Sequence, residues 1–303
     1  NKILFNNIME RIKEYIKEKR PNLGVSSIVT YGSIIKNIYT KVFGNDEVDF
    51  KRFDDTKAVL EYLKDIPPSR RKTILSALVI VTNEKPYRDL MLEDVKDYNT
   101  DINKQEKTPE QIASWVDCNQ IKDIYNDLKN NAELIYKKKT QTISDLQQIQ
   151  NFIILSLLGV LYIPPRRSKD FCDFKIKNLD KSKDNYLERN KMIFNSYKTS
   201  KTYGTQEVDI PIQLKNILTK WIKINPTDYL LFDTNMSKLS SVKLNQRLNK
   251  IFGEKKVGCN QLRHTYLTDK YADTIKTKNS IANTMTEMGS SPSMLNVYVK
   301  KDT

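Results

Sequence analysis

Apolar residues at three- and four-residue spacing recur along most of this chain, and that period constrains it first of all to helices. Ile8, Ile12, Tyr15 and Ile16 share one helical face. Ile28, Tyr31, Ile35, Ile38 and Val42 repeat the pattern, with Ser26-Ser27 placed to cap the N-terminus. Pro67-Pro68-Ser69 starts another helix through Leu75, Leu78 and Val79, which Lys85-Pro86-Tyr87 closes. These elements predict a helical bundle over residues 1–97. The polar stretch from Tyr98 to Pro109 reads as a linker over residues 98–109, and residues 110–303 read as a second domain.

In that second domain two helical patterns run around Ile121–Tyr136 and Ile143–Tyr162. The apolar run from Phe152 to Ile163 is too short to span a bilayer and reads as a buried helix, so no membrane association is expected. Two β-like stretches, Lys191–Tyr197 and Gln206–Pro211, flank Lys198-Thr199-Ser200-Lys201 and predict a hairpin with a lysine-rich tip. Helical patterns return from Leu214, with Gly253 and Gly258 as breaks. The expected fold class is mainly α with a small β-hairpin or sheet: a helical first domain followed by a mixed α+β domain.

Lysine and arginine number 51 against 37 acids, a formal charge of +14 at pH 7. Such an excess attracts a polyanion, of which nucleic acid is the obvious one; it also serves solubility. Eight glycines in the whole chain argue against a glycine-rich nucleotide fold. Gly253 and Gly258 have P-loop spacing, but Cys259-Asn260 stand where Lys-Ser/Thr is needed. One histidine and three scattered cysteines, Cys118, Cys172 and Cys259, cannot make a zinc finger. Their odd number suggests reduced thiols in a cytosolic or nuclear setting.

Three places carry candidate chemistry. In Pro164-Pro165-Arg166-Arg167-Ser168-Lys169-Asp170 the prolines stop a helix and fix a turn. Two arginines on a rigid turn can clamp phosphate oxygens; the plain alternative is a surface turn with an Arg167–Asp170 pair. Asn260 and Arg263 project from one helical face, although Asn260 is equally suited to be an N-cap. His264 is either a proton carrier or a packing residue, and Tyr298 is one of 16 tyrosines.

Taken in order, these elements resemble the tyrosine recombinase (integrase) superfamily. Its pattern is an arginine followed three residues later by an acid, a hairpin lysine, a His/Lys-x-x-Arg box, a Gly-His/Trp box and a tyrosine about ten residues on. Arg167-Ser168-Lys169-Asp170 fits the first element and Lys198-Thr199 the second. Asn260-Gln261-Leu262-Arg263-His264-Thr265 fits the third; Met288-Gly289-Ser290-Ser291 and Tyr298 fit the last two. Arg20-Pro21-Asn22-Leu23, Ser27 and Tyr31 resemble the core-binding domain of integrases from large DNA viruses and their satellite viruses. Lys107-Thr108 with Gln111, Ala113 and Trp115 resembles the start of their catalytic domain. Asn260 replaces the usual His or Lys, Ser290 replaces the usual His or Trp, and the gap from Gly289 to Tyr298 is one residue shorter than usual.

The resemblance implies a core-binding domain and a catalytic domain closing as a clamp on double-stranded DNA. Tyr298 would attack a backbone phosphate to form a 3′-phosphotyrosyl bond. Arg167 and Arg263 would stabilise the phosphorane, Lys198 would protonate the 5′-oxygen, and His264 would assist or orient. Arg166, Lys201 and Ser290 are the alternative site residues. No cofactor, metal or ATP is required. Four protomers would exchange strands as a tetramer on DNA, within a host cytoplasm, viral factory or nucleus. Two alternatives are a type IB topoisomerase acting as a monomer and a degenerate DNA-binding protein that does not cleave.

Overall fold

The computed structural model describes residues 2–44 and 48–300. The chain divides into two compact units, Asn1–Glu106 and Lys107–Thr303.

The first unit is helical. It comprises α1 (Lys2–Lys19), α2 (Val25–Phe43), α3 (Thr56–Leu63), α4 (Pro68–Thr82) and α5 (Lys85–Asn103). Ile12 and Ile16 of α1, Ile35 and Ile38 of α2, and Leu75 and Leu78 of α4 meet in one core. Arg71 of α4 grips Asp94 of α5 with two hydrogen bonds, Nε–Oδ2 at 2.9 Å and Nη2–Oδ1 at 2.7 Å, which satisfy an otherwise buried carboxylate. Three local expectations are corrected. The α2 cap is Gly24 with no side-chain bond, so Ser26 and Ser27 lie inside the helix. Asn83, in the left-handed conformation, ends α4, while Lys85-Pro86 opens α5, because proline suits a first turn where its missing N–H costs nothing. The stretch read as a linker is helical as far as Asn103, since Tyr98–Asn103 contains no glycine or proline to stop it.

The second unit begins with α6 (Pro109–Ser114), α7 (Cys118–Tyr136) and α8 (Ile143–Leu158). Thr108 and Gln111 form a reciprocal capping box on α6. Helix α8 is buried on nearly every side and is the axis of the core. It stops at Gly159, where an added Cβ would lie 2.4 Å from the Leu155 carbonyl oxygen. After α9 (Ser168–Cys172) come β1 (Phe174–Lys175), β2 (Asn185–Glu188) and β3 (Lys191–Phe194). Then follow α10 (Ser200–Tyr203), β4 (Gln206–Asp209), α11 (Ile212–Ile224), α12 (Ser241–Ile251), α13 (Cys259–Glu287) and α14 (Leu295–Tyr298).

The strands make one open sheet in the order β1-β2-β3-β4, with β1 parallel to β2 and the other pairs antiparallel. The β3–β4 pair runs from Lys191 opposite Asp209 to Phe194 opposite Gln206. The architecture is thus mainly α with a small mixed sheet. No helix among the described residues is long and apolar enough to cross a membrane.

Candidate functional site

The turn that follows α8 is the centre of the site. Val160 sits at φ 62°, a conformation rarely adopted by a β-branched residue. The chain then passes through Pro164 and Pro165 into Arg166, Arg167 and α9. Asp170, on α9, is almost fully buried at 2% exposure. Arg166 Nε donates to its Oδ2 at 3.0 Å, while its Oδ1 has no hydrogen-bond partner. Burial pushes the Asp170 carboxyl above the ordinary carboxylate range, against the pull of Arg166, Arg167 and Arg263. Only Arg166 bonds the carboxylate; Arg167 and, from α13, Arg263 act on it through their charge.

The two neighbouring arginines have different surroundings. Arg166 also donates Nη1 to Gln206 Oε1 at 3.0 Å, and its guanidinium lies 3.9 Å from the Phe194 ring centre and 5.2 Å from that of Tyr197. It is a structural tie between the turn and the sheet, and it makes the pair with Asp170 that the sequence assigned to Arg167. The reason is local: Arg166 stands four residues before Asp170, so both side chains lie over the same turn, whereas Arg167 is the N-cap residue of α9 in extended conformation. Arg167 is half-buried and makes no side-chain hydrogen bond among the described residues.

The hairpin is fixed to this turn at its base. Asn185 of β2 donates Nδ2 to the Asp170 carbonyl at 3.0 Å and to the Ser196 carbonyl at 2.8 Å, and takes the Ser196 N–H at 2.8 Å. Tyr197 donates to the Gly204 carbonyl at 2.8 Å and closes the tip. Lys198 is exposed immediately after Tyr197, and Lys201 is exposed on α10. Sequence reasoning missed both Asn185 and Gln206. A single asparagine or glutamine in a polar stretch gives no sign of the backbone it will hold.

The start of α13 leans on its neighbours. Asn245 of α12 accepts the Cys259 N–H at 2.9 Å, and α12 itself packs on α9. Thr265 donates to the Val116 carbonyl at 2.8 Å, which gives the residue after His264 a structural role. The cap position is Gly258, so Asn260 does not cap; the neighbouring helix supplies that acceptor through Asn245. Asn260 and His264 are exposed and Arg263 half-buried on the first turns of α13. The positive end of the helix dipole adds to the charge there.

The third box lies at the opposite end of α13. Gly289 has φ 68°, its N–H bonds to the Thr286 carbonyl at 2.9 Å, and the Ser290 N–H bonds to the Met285 carbonyl at 2.8 Å. That is a Schellman termination, which favours a residue without a Cβ at the left-handed position. A 3-10 turn (Pro292–Met294) and α14 follow, and Tyr298 is 56% exposed. At about 1.5 Å per residue, α13 carries the chain about 36 Å from Arg263 to Glu287. The structure thus brings Arg167, Arg263 and Asp170 together with Arg166 and fixes the hairpin base beside them. It does not bring Tyr298 or Ser290 there, because α13 is one unbroken helix.

Arg167 and Arg263 thus stand at two helix starts, each within electrostatic reach of the buried Asp170 carboxyl. No group of three or more histidine, cysteine, aspartate or glutamate side chains among the described residues is arranged to hold a metal ion. No protein-family model matches this chain, and a search of curated proteins finds no relative.

Proposed function

We propose that this chain cuts and rejoins duplex DNA through a covalent phosphotyrosine. The observation that supports this most is that Arg167 and Arg263, from separate elements, stand close enough to the buried Asp170 carboxyl for both charges to act on it. Two preorganised guanidinium groups suit the extra negative charge of a pentacovalent phosphorane. In the step itself the Tyr298 hydroxyl oxygen bonds to phosphorus, its proton passing to solvent or to His264. The bond to the 5′-oxygen breaks, and that oxygen takes a proton from Lys198. Attack by a 5′-hydroxyl reverses the sequence and releases the tyrosine, so the bond energy is conserved and no ATP is consumed. The surplus of basic residues would hold the duplex, and four protomers on two duplexes would exchange strands.

The test is a nicked suicide duplex, on which cleavage traps the protein covalently. Wild type is expected to form the adduct, and Arg263→Ala to bind the duplex but form almost none. A second reading, a DNA-binding protein that does not cleave, is favoured by the remoteness of Tyr298 from the arginines. It would show as duplex binding with no adduct from wild type.

A further inference from the structure

We propose that the cleft between α8 and α12 binds a nucleoside monophosphate, at a site separate from the Arg167–Arg263 pair. This site stands on its own observations and does not depend on the strand-transfer reading.

The cleft is open, with a volume of about 780 Å³, and lies between the first turns of α8, the Asp233–Leu239 loop and one face of α12. That volume suits a ligand of nucleotide size. Three side chains that line it each carry a buried atom with no hydrogen-bond partner: Gln147 Oε1, Asn151 Oδ1 and Arg247 Nη1. Six side-chain atoms among the described residues are in that state, so half of them gather at one cleft. Buried polar groups are normally paired, and a cluster of exceptions points to a missing partner rather than to chance.

The local hydrogen bonds explain why these atoms are left over. Gln147 and Asn151 stand one turn apart on α8, on the same face. Gln147 spends its Nε2 on the Asp233 carbonyl at 3.2 Å, and its Oε1 remains unpaired. Asp233 is the one acid among the residues lining the cleft, yet its oxygens are already in use. Its Oδ2 accepts from the Lys243 ammonium at 2.6 Å, and its Oδ1 accepts the Asn235 and Ser237 N–H groups at 2.9 and 3.0 Å. Arg247, one turn after Lys243, feels Asp233 only through its charge, while burial works against the guanidinium. Lys250, one turn further along α12, adds an exposed cation at the rim.

The unpaired atoms specify the ligand. A guanidinium fork beside an ammonium suits a phosphate. The Gln147 and Asn151 oxygens only accept, so the same ligand must also donate. A nucleoside monophosphate has both halves: its phosphate meets Arg247 and Lys250, and its base amino group or sugar hydroxyls meet the two amide oxygens. Inorganic phosphate has only the first half.

Calorimetric titration of the whole protein with AMP, and separately with inorganic phosphate, tests this. Saturable binding of one AMP per chain is expected, tighter than that of phosphate. Arg247→Met keeps the packing of the stem and removes the charge. It should weaken AMP binding by about tenfold or more, while the melting temperature without ligand holds or rises, since a buried unpaired charge is gone. Asn151→Leu, a smaller and independent change, should also weaken AMP binding and keeps the test decisive should Arg247→Met fold poorly. Arg167→Ala should bind AMP as wild type does. The proposal is overturned by no saturable AMP binding, by phosphate binding as tightly as AMP, or by AMP affinity unchanged in both cleft variants. Loss of AMP binding in Arg167→Ala would move the ligand to the other arginines and overturn it too. So would a loss of duplex binding in Arg247→Met that matches the loss of AMP, which would give the cleft to the DNA backbone.

Discussion

The two ends of α13 are built in opposite ways. At its start, Cys259 is capped by Asn245, Thr265 is bonded to the Val116 carbonyl, and Arg263 shares the field of buried Asp170. At its end, Met288, Val297, Tyr298 and Val299 are exposed on a short tip. The difference separates two requirements of the proposed chemistry. Stabilising a phosphorane needs donors fixed in advance, because reorganising them during the reaction would cost what they contribute. A nucleophile, by contrast, must be accessible, and Tyr298 is exposed.

The comparison is broken most easily at the anchored end. Arg167→Ala is expected to lower cleavage by about 10²–10³-fold, or about 3–4 kcal/mol, as for other single transition-state donors. Because its side chain makes no hydrogen bond among the described residues, stability should move by less than about 0.5 kcal/mol. Arg166→Ala is expected to show the reverse balance, losing about 3 kcal/mol of stability by leaving Asp170 buried and unpaired. Urea melts alongside single-turnover cleavage separate the two arginines. Equal destabilisation by both would show that Arg167 is also a structural tie.

At the tip, Gly289→Ala should cost about 1 kcal/mol by forcing a Cβ into the left-handed position. Hydrogen exchange of the Ser290 amide should report that loss, while amides at the start of α13 stay unchanged. A loss spread evenly along α13 would mean that the two ends are coupled.

The pH dependence probes Asp170. Its carboxyl is held above the ordinary value, so the fold favours the protonated form. Its contribution to stability is therefore complete below about 3.9, the value in an unfolded chain, and is lost as pH rises through the folded value. The stability difference between wild type and Asp170→Asn should shift against wild type over that rise. A difference independent of pH would show that Arg166 fully offsets the burial. Smallest of all, Asn260→Ala should change stability by less than about 0.5 kcal/mol, since Asn260 is exposed and caps nothing. A melting shift of the size of a lost cap would restore the capping role.

Much of this was legible in the sequence where one residue type has one physical use. The apolar faces of α1, α2 and α4 showed because each buries a single stripe, and the Pro164-Pro165 stop showed because proline cannot continue a helix. The strands β3 and β4 alternate or cluster apolar residues, whereas β2, with Asn185 and Glu188, hides in a polar stretch. The choice between Arg166 and Arg167 was not legible. It depends on Gln206 and Phe194, which approach only in the folded sheet. Nor was the length of α13, because its apolar period fades after Leu267 while no breaker appears before Gly289. Order along the chain placed Tyr298 after the arginines; it carried no information on how far a straight helix would take it.

The most direct test of the central claim compares wild type with Tyr298→Phe on a nicked suicide duplex, resolved on a denaturing gel. The account predicts a covalent protein–DNA adduct from wild type and none from Tyr298→Phe, with duplex binding equal, because the variant loses only a hydroxyl. An adduct that persists in Tyr298→Phe, or none from wild type, would contradict it.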